Sequence, residues 1–158
     1  MARKKGSTTK NSNKKKEPKY YELHEDSIQK FYDVFNTKSF PTNIGFEFVG
    51  CDQKQLIKIS RISEQYKFIL NKDILVSIND EYMSLFDDES VKILIEQEID
   101  KISIHLESGK IKLVKTDLNT FSSLVSKYGI EKVSKANNVE ELYTEQKADA
   151  QTDDVFNI

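Results

Sequence analysis

The stretch DDESVKILIEQEIDKIS, residues 87–103, has the apolar spacing of an amphipathic helix. At about 100° per residue, its aliphatic side chains fall on one arc: Val91, Leu94, Ile95, Ile99 and Ile102. Glu98 projects near the middle of this arc, where a carboxylate costs free energy unless a partner lies close by. Asp87 or Asp88 is expected to cap the helix, whose positive N-terminal end the neighbouring acids favour. The sequence therefore predicts a helix that turns one glutamate toward the core.

The residues before this stretch predict one helix and several strands. Residues 24–36 repeat apolar side chains at helical spacing, and Pro41 marks the break that follows. Alternating or β-branched runs then predict four strands: NIGFEFVG, QLIKISRIS, YKFIL and DILVSIN, the last of them more central in the sheet. The segment DEYMSLF is expected to form a short helix or turn.

The residues after it predict a hairpin and two helices. In ISIHLESGKIKLVK the apolar positions alternate through Leu106 and resume at Ile111, which places Gly109 in the turn. A helix over residues 117–128 is expected to start at Asp117 and stop before Gly129, and a last helix covers residues 130–146. The order of elements indicates an α+β domain with a small, mostly antiparallel sheet.

Composition places limits on the class of protein. The chain has 158 residues, about one domain, and no apolar run reaches the roughly 18–20 residues of a membrane span. The basic, polar N-terminus lacks the hydrophobic segment of a secretory signal. One cysteine, Cys51, excludes an intrachain disulfide, and two histidines leave few strong ligands for a transition metal. These features predict no cofactor, no membrane association and an intracellular place of assembly.

Charge is distributed unevenly along the chain. Residues 1–19 hold eight Lys/Arg and one Glu, +7, which leaves 16 basic and 25 acidic residues, −9, for the remainder. Such a tail is expected to be disordered in isolation and to serve as an interaction arm. The basic residues of this arm are Arg3, Lys4, Lys5, Lys10, Lys14, Lys15, Lys16 and Lys19. Residues 147–158 are expected to form a flexible, acidic C-terminal tail with an apolar end, VFNI.

The two segments ILIEQEIDKI and KTDLNTF, followed by Tyr128-Gly129, resemble the metallopeptidase domain found in phage genomes. In that family a helix carries H-E-x-x-H, a short β segment follows, and a His-Asp pair opens a helix ending in Tyr-Gly. The resemblance covers about residues 40–129 and implies a zincin-like core within a domain over residues 20–129. It places Gln97, Lys101 and Thr116 at the three zinc-ligand positions and Glu98 at the catalytic glutamate.

The resemblance implies that the zinc ligands are lost. In H-E-x-x-H, two histidines four apart grip one zinc ion while the glutamate acts as base toward the zinc-bound water. An amide, an ammonium and a hydroxyl replace the histidines here, so no catalytic or metal-binding residue is predicted. Glu98 would then be a relic that pairs with Gln97, Lys101 or groups near Thr116.

Other residues with chemical potential indicate no second site. Glu96 and Asp100 could hold a hard cation, but a solvated acidic helix face is the simpler interpretation. His105 is expected on the polar side of the hairpin, His24 at the entrance to the first helix, and Cys51 without the electropositive surroundings of a nucleophile.

Three hypotheses for function follow. The Asn-, Lys- and Ile-rich composition suits a phage of an AT-rich host, and the chain resembles small virion proteins of crAss-like phages. We expect a non-catalytic structural or adaptor protein of the capsid, portal or head–tail junction, assembled in the host cytoplasm. It would be present in many copies, with its tails docked on neighbouring virion proteins.

The alternative is a nucleic-acid-binding accessory protein whose basic arm contacts phosphates. The third hypothesis is an active zinc metallopeptidase, which would require His24 and His105 to converge with Glu96, Glu98 or Asp100.

Overall fold

The computed structural model describes residues 17–115 and 118–156, with side chains described outside residues 116–122 and 147–156. It is an α+β domain, as predicted. The elements, in chain order, are β1 Tyr20–Tyr21, α1 Glu25–Phe35, β2 Phe46–Cys51, β3 Ile57–Arg61, α2 Glu64–Leu70, β4 Ile74–Ile78, α3 Asp80–Leu85, α4 Asp88–Ile99, β5 Ile102–Ile104, β6 Ile111–Leu113, α5 Leu118–Tyr128 and α6 Ile130–Phe156.

Four strands form one mixed sheet in the order β1-β2-β4-β3. Strands β2 and β4 are parallel, with Phe46 opposite Ile74, whereas β1 pairs with β2 and β3 with β4 in antiparallel fashion. Strand β4 therefore lies inside the sheet, which confirms its predicted central place, and β3 lies at an edge. Strands β5 and β6 form a separate antiparallel hairpin. Of the four strand pairings in the described ranges, three are antiparallel and one, β2 with β4, is parallel.

The core lies between the sheet and the helices. Phe31 of α1 is fully buried, with its ring centroid 5.0 Å from that of Phe46 and 5.3 Å from that of Phe48. The rings pack edge to face, with interplanar angles of 73° and 76°. This arrangement stabilises aromatic pairs beyond the gain from burial alone. Helix α4 packs against α1, β3, α5 and α6, so it is the helix around which the domain is assembled.

The ends of helix α4 and its neighbours agree with the sequence. The Asp87 side chain caps α4 by accepting a hydrogen bond from the Ser90 N–H. Gly129 has φ of 87°, a left-handed conformation that glycine adopts without strain, and it separates α5 from α6 as predicted. The proposed cap Asp117 lies outside the described residues. Helix α6 extends to Phe156, past its predicted end at residue 146.

The predicted strand YKFIL is wrong, because these residues form helix α2. Strands β3 and β4 pair directly with each other, so residues 64–70 belong to the connection between them and have no neighbouring strand to join. Apolar and aromatic residues favour strands mainly where a half-buried sheet surface receives them. All seven residues of α2 are exposed instead.

The hairpin is also shorter than its alternation indicates. Its strands end at Ile104 and resume at Ile111, and Gly109 lies in the turn with φ of 67°. The predicted turn glycine is therefore confirmed. The prediction that Leu106 belongs to a strand is wrong, because Leu106 lies within the turn and its side chain is exposed.

Candidate functional site on helix α4

Glu98 lies where helix α4 meets edge strand β3. One carboxylate oxygen, Oε1, is 2.5 Å from Lys101 Nζ, and the other, Oε2, accepts a hydrogen bond from the Ile59 N–H at 3.3 Å. The Glu98 side chain is 14 % exposed. The prediction of an inward-facing, mostly buried Glu98 is therefore confirmed, and Lys101, one of its expected partners, contacts it.

The other positions of the family pattern are only partly visible. Gln97 is half-buried on the same helix, Lys101 follows the helix, and Thr116 lies outside the described residues. The structure thus brings Glu98 and Lys101 into direct contact. The ammonium group of Lys101 neutralises the Glu98 carboxylate.

A second carboxylate meets the same strand. Glu140 of α6 accepts a hydrogen bond from the Leu56 N–H at 3.3 Å, next to the start of β3. Burial raises the pKa of Glu140, and the carboxylates of Glu98 and Glu141 raise it further, against the opposing effect of the Leu56 N–H. Glu98 and Glu140 together cap backbone donors at the edge of the sheet, where uncapped N–H groups could pair with another chain.

The expectation that Glu96 lies on a solvated acidic face of helix α4 is wrong. Its residue surface is 1 % exposed, and its carboxylate lies 2.7 Å from Lys38 Nζ, 3.0 Å from Lys127 Nζ and 2.5 Å from the Tyr128 hydroxyl. Lys38 also reaches Asp100 at 3.2 Å. Helix α4 is packed by α1, β3, α5 and α6, so Glu96 is enclosed although it lies off the main apolar arc. The most buried carboxylate of the helix is therefore Glu96, not Glu98.

The Glu96 cluster, which we define as Glu96 with Lys38, Lys127 and Tyr128, stabilises the ionised form of its carboxylate. Burial alone would raise the pKa of Glu96, but hydrogen bonds from Lys38, Tyr128 and Lys127 outweigh it and leave the pKa below its ordinary value. Burial and the hydrogen bond to Glu96 raise the pKa of Tyr128 to about 12. Glu96 is thus an ionised acceptor and Tyr128 a protonated donor near neutral pH.

Sequence reasoning missed the Glu96 cluster. Its partners come from the loop after α1 and from the C-terminal end of α5, so no local spacing connects them. A signal was present in the Lys127-Tyr128-Gly129 segment, whose tyrosine was recognised only as part of a family motif. The cluster ties two distant segments to one buried carboxylate on helix α4, which indicates a structural role.

The histidines and the cysteine belong to elements other than helix α4. His24 is the N-cap residue of α1, and exposed His105 lies in the hairpin turn, 3.1 Å from the Ser108 hydroxyl. Cys51 is buried, and burial raises the pKa of its thiol, the opposite of nucleophile activation. Within residues 17–115 and 118–156, no group of three or more His, Cys, Asp or Glu side chains could hold a metal ion.

The basic arm can be followed only where it joins the body. The Lys19 N–H donates to the Asp52 side chain at 2.7 Å, and the Asp52 N–H donates back to the Lys19 carbonyl at 3.2 Å. The other basic residues of the arm lie outside the described part of the chain. No helix of the described ranges has the length and apolar content to cross a membrane.

The fold and the site define an α+β domain in which the Glu98 carboxylate, at the junction of helix α4 and strand β3, is ion-paired with Lys101. A model of the family described as "Putative phage metallopeptidase" matches residues 12–147, and the chain belongs to this family. The match extends on both sides of residues 40–129, which carry the sequence resemblance. Comparisons with curated proteins and with solved structures find no match.

Proposed function

We propose that this chain is a non-catalytic member of the phage metallopeptidase family that serves as a structural or adaptor protein of the virion. The observation that carries the proposal is the contact between Glu98 Oε1 and Lys101 Nζ at 2.5 Å. A glutamate that acts as a base must accept a proton from water, whereas Glu98 shares its two oxygens between an ammonium group and a backbone N–H. Its geometry is that of a structural ion pair.

The donor set on helix α4 does not fit the zinc ion that the family implies. Zinc takes neutral imidazole, thiolate or carboxylate ligands, usually four in tetrahedral arrangement. Gln97 offers an amide and Lys101 a cation that repels the metal, and His24 and His105 lie on α1 and the hairpin turn. At the matched helix positions the described residues therefore supply an amide, a carboxylate and an ammonium group, which do not form a zinc-ligand set.

The charge distribution supports the assembly role. A +7 arm precedes a −9 remainder, so the arm of one copy complements the acidic body of another. Complementary charge favours head-to-tail association of many copies, as a capsid, portal or head–tail junction requires. Mass spectrometry of purified virions should detect the chain, and its absence from them would refute the virion role.

Replacement of Glu98 by glutamine should preserve folding and assembly. The glutamine carbonyl can still accept from Ile59, and the lost ion pair with partly exposed Lys101 should cost about 1 kcal/mol or less. Thermal unfolding followed by circular dichroism, together with complementation of a phage lacking the gene, measures both outcomes.

The matched control is Lys101→Gln, which removes the positive charge of the same ion pair. A structural pair predicts similar small effects for the two variants and for their combination, as a double-mutant cycle would show. The catalytic account would be restored if Glu98→Gln alone folded and assembled but lost biological function. Stoichiometric zinc that a chelator removes together with a peptidase activity would restore it as well.

A second candidate function, binding of nucleic acid by the arm, is favoured by the eight basic residues within residues 1–19. The acidic body makes an extended duplex groove unfavourable, so binding would be non-specific and would weaken steeply with salt. Deletion of residues 1–16, which leaves the Lys19–Asp52 contact in place, should then abolish DNA binding in a fluorescence anisotropy titration. Undiminished binding by the truncated chain would show that the arm is not the contact.

A further inference from the structure

Helix α6 carries four acidic residues at four-residue spacing along its C-terminal half: Glu141, Glu145, Asp149 and Asp153. Like charges four apart on a helix repel each other and destabilise it. Glu141 and Glu145 are exposed, and neither forms a salt bridge within the described part of the chain. We call these four residues the α6 stripe.

The α6 stripe lies on the side of the helix that faces away from the body. At about 100° per residue, its four positions fall within about 120° of the helix surface. The buried residues Val133 and Ala136 and the half-buried Glu140 fall on the opposite side. Lys147, the one basic residue within residues 141–158, falls opposite as well, so the helix supplies no cation to the stripe there.

The end of α6 adds to this excess of negative charge. Asp153 and Asp154 lie in the last turn, which has no basic residue. The C-terminal end of a helix carries a partial negative charge and favours cations. Residues 141–158 hold five acidic residues and one lysine, or −4. Cations from outside the helix would therefore stabilise this part of α6.

The basic arm leaves the body beside the α6 stripe. The Lys19 N–H donates to the Asp52 side chain at 2.7 Å, and the Thr144 hydroxyl donates to the Lys54 carbonyl at 3.1 Å. Asp52 and Lys54 belong to the same connection between β2 and β3. Thr144 directly precedes Glu145 of the stripe, so the root of the arm and the stripe meet at one loop.

The arm has the charge and the length to run along the stripe. Residues 1–16 hold seven Lys/Arg and no acidic residue, or +7. Sixteen residues of extended chain reach roughly 50 Å, whereas the stripe from residue 141 to residue 153 covers about 18 Å of helix. The charges of the two segments are complementary, and the tether at Lys19 keeps them close together.

We propose that the basic arm docks on the α6 stripe of its own chain, and that this contact limits how much of the arm is free to bind another partner. The tether gives the arm a high effective concentration at the stripe. Exposed ion pairs are individually weak, so the arm exchanges between docked and free states. The contact involves one chain, so it goes beyond the proposed function and holds whatever external partner the arm binds.

Broadening of NMR signals by a nitroxide tests the docking contact in the full chain. The nitroxide is attached at Thr8→Cys in the arm, and native Cys51, 3 % exposed, stays unlabelled under native conditions. The amide signals of residues 141–146 should broaden, and they should recover in about 1 M salt, which screens exposed charges. A sample in which the nitroxide and the isotope label are on different chains should show no broadening.

Neutralising the α6 stripe should remove the broadening without loss of the fold, because it relieves repulsion within the helix. The combined variant is Glu141→Gln, Glu145→Gln, Asp149→Asn and Asp153→Asn. The matched control removes four exposed negative charges elsewhere on the body and should keep the broadening: Glu25→Gln, Glu64→Gln, Glu107→Gln and Glu131→Gln. Broadening that occurs only between chains, persists in the stripe variant or disappears in the control would overturn the proposal.

Binding of poly-L-glutamate, an acidic partner, measures the release of the arm. Apparent affinity scales with the free fraction, so an arm that is docked about 80 % of the time binds about fivefold more tightly once the stripe is neutralised. Measurable but equal affinities of the wild-type and stripe-neutralised chains would overturn this proposal. Absence of binding by both chains would contradict the proposed function of the arm, whereas the broadening alone decides the docking contact.

Discussion

Replacement of Leu94 by aspartate is expected to unfold the domain. Leu94 is buried in the core on helix α4, one turn before Glu98. An aspartate there would bury an unpaired charge next to an existing carboxylate, at a cost of several kcal/mol, in addition to the lost apolar packing. The total approaches the roughly 5–15 kcal/mol that stabilises a typical domain. Loss of the cooperative thermal transition would show it.

Lys92→Asp is the matched control for Leu94→Asp. Lys92 lies on the exposed side of the same helix, so the variant introduces the same side chain without burying it. Its free energy of unfolding should change by less than about 1 kcal/mol. A Leu94→Asp protein that unfolds near the wild-type midpoint would mean that helix α4 is not packed into the core as described.

Replacement of Glu96 by alanine should produce the second largest loss of stability, on the order of 3 kcal/mol. It would remove the shared acceptor of Lys38, Lys127 and Tyr128 and leave space in a buried region. Because the two lysines keep access to solvent, the cost should stay at the lower end for a broken buried ion pair. Urea unfolding measures the difference.

Glu89→Ala provides the control on the same helix. Glu89 forms an exposed salt bridge with Lys132 at 2.8 Å, and such pairs contribute about 0–1 kcal/mol. Equal losses of stability for Glu96→Ala and Glu89→Ala would contradict the structural role of the Glu96 cluster.

The Glu96 cluster also predicts how stability depends on pH. The folded pKa of Glu96 lies below its ordinary value, so its contribution is present above the unfolded pKa and is lost as the pH falls through the folded one. The folded pKa of Tyr128, about 12, exceeds the ordinary value of 10.0, so stability should fall as the pH rises between the two. Glu96→Gln should remove the part of the acid-side dependence that Glu96 contributes, which urea unfolding at a series of pH values would detect.

Most elements of the fold could be predicted because their signals are local. The cap of α4 at Asp87, the turn at Gly109 and the helix boundary at Gly129 each depend on residues within one or two turns of chain. The inward direction of Glu98 followed from the apolar residues three and four positions away. Residue spacing and local propensity are sufficient to predict such short-range geometry.

Helix α2 could not be predicted in the same way. An apolar, aromatic run normally reports burial in a sheet, but residues 64–70 lie outside the ladder because β3 and β4 pair with each other. Its side chains are exposed, so the usual link between apolar pattern and burial does not hold there.

The sequence by itself determined the amphipathic helix α4, the glutamate on its apolar arc and the neighbouring lysine, since these depend on 3.6 residues per turn. Only the tertiary structure decided which carboxylate is most deeply buried. Glu96 is enclosed by Lys38, 58 residues before it, and by Lys127 and Tyr128, 31 and 32 residues after it. Contacts across such separations arise when distant segments pack around one helix, and no local pattern encodes them.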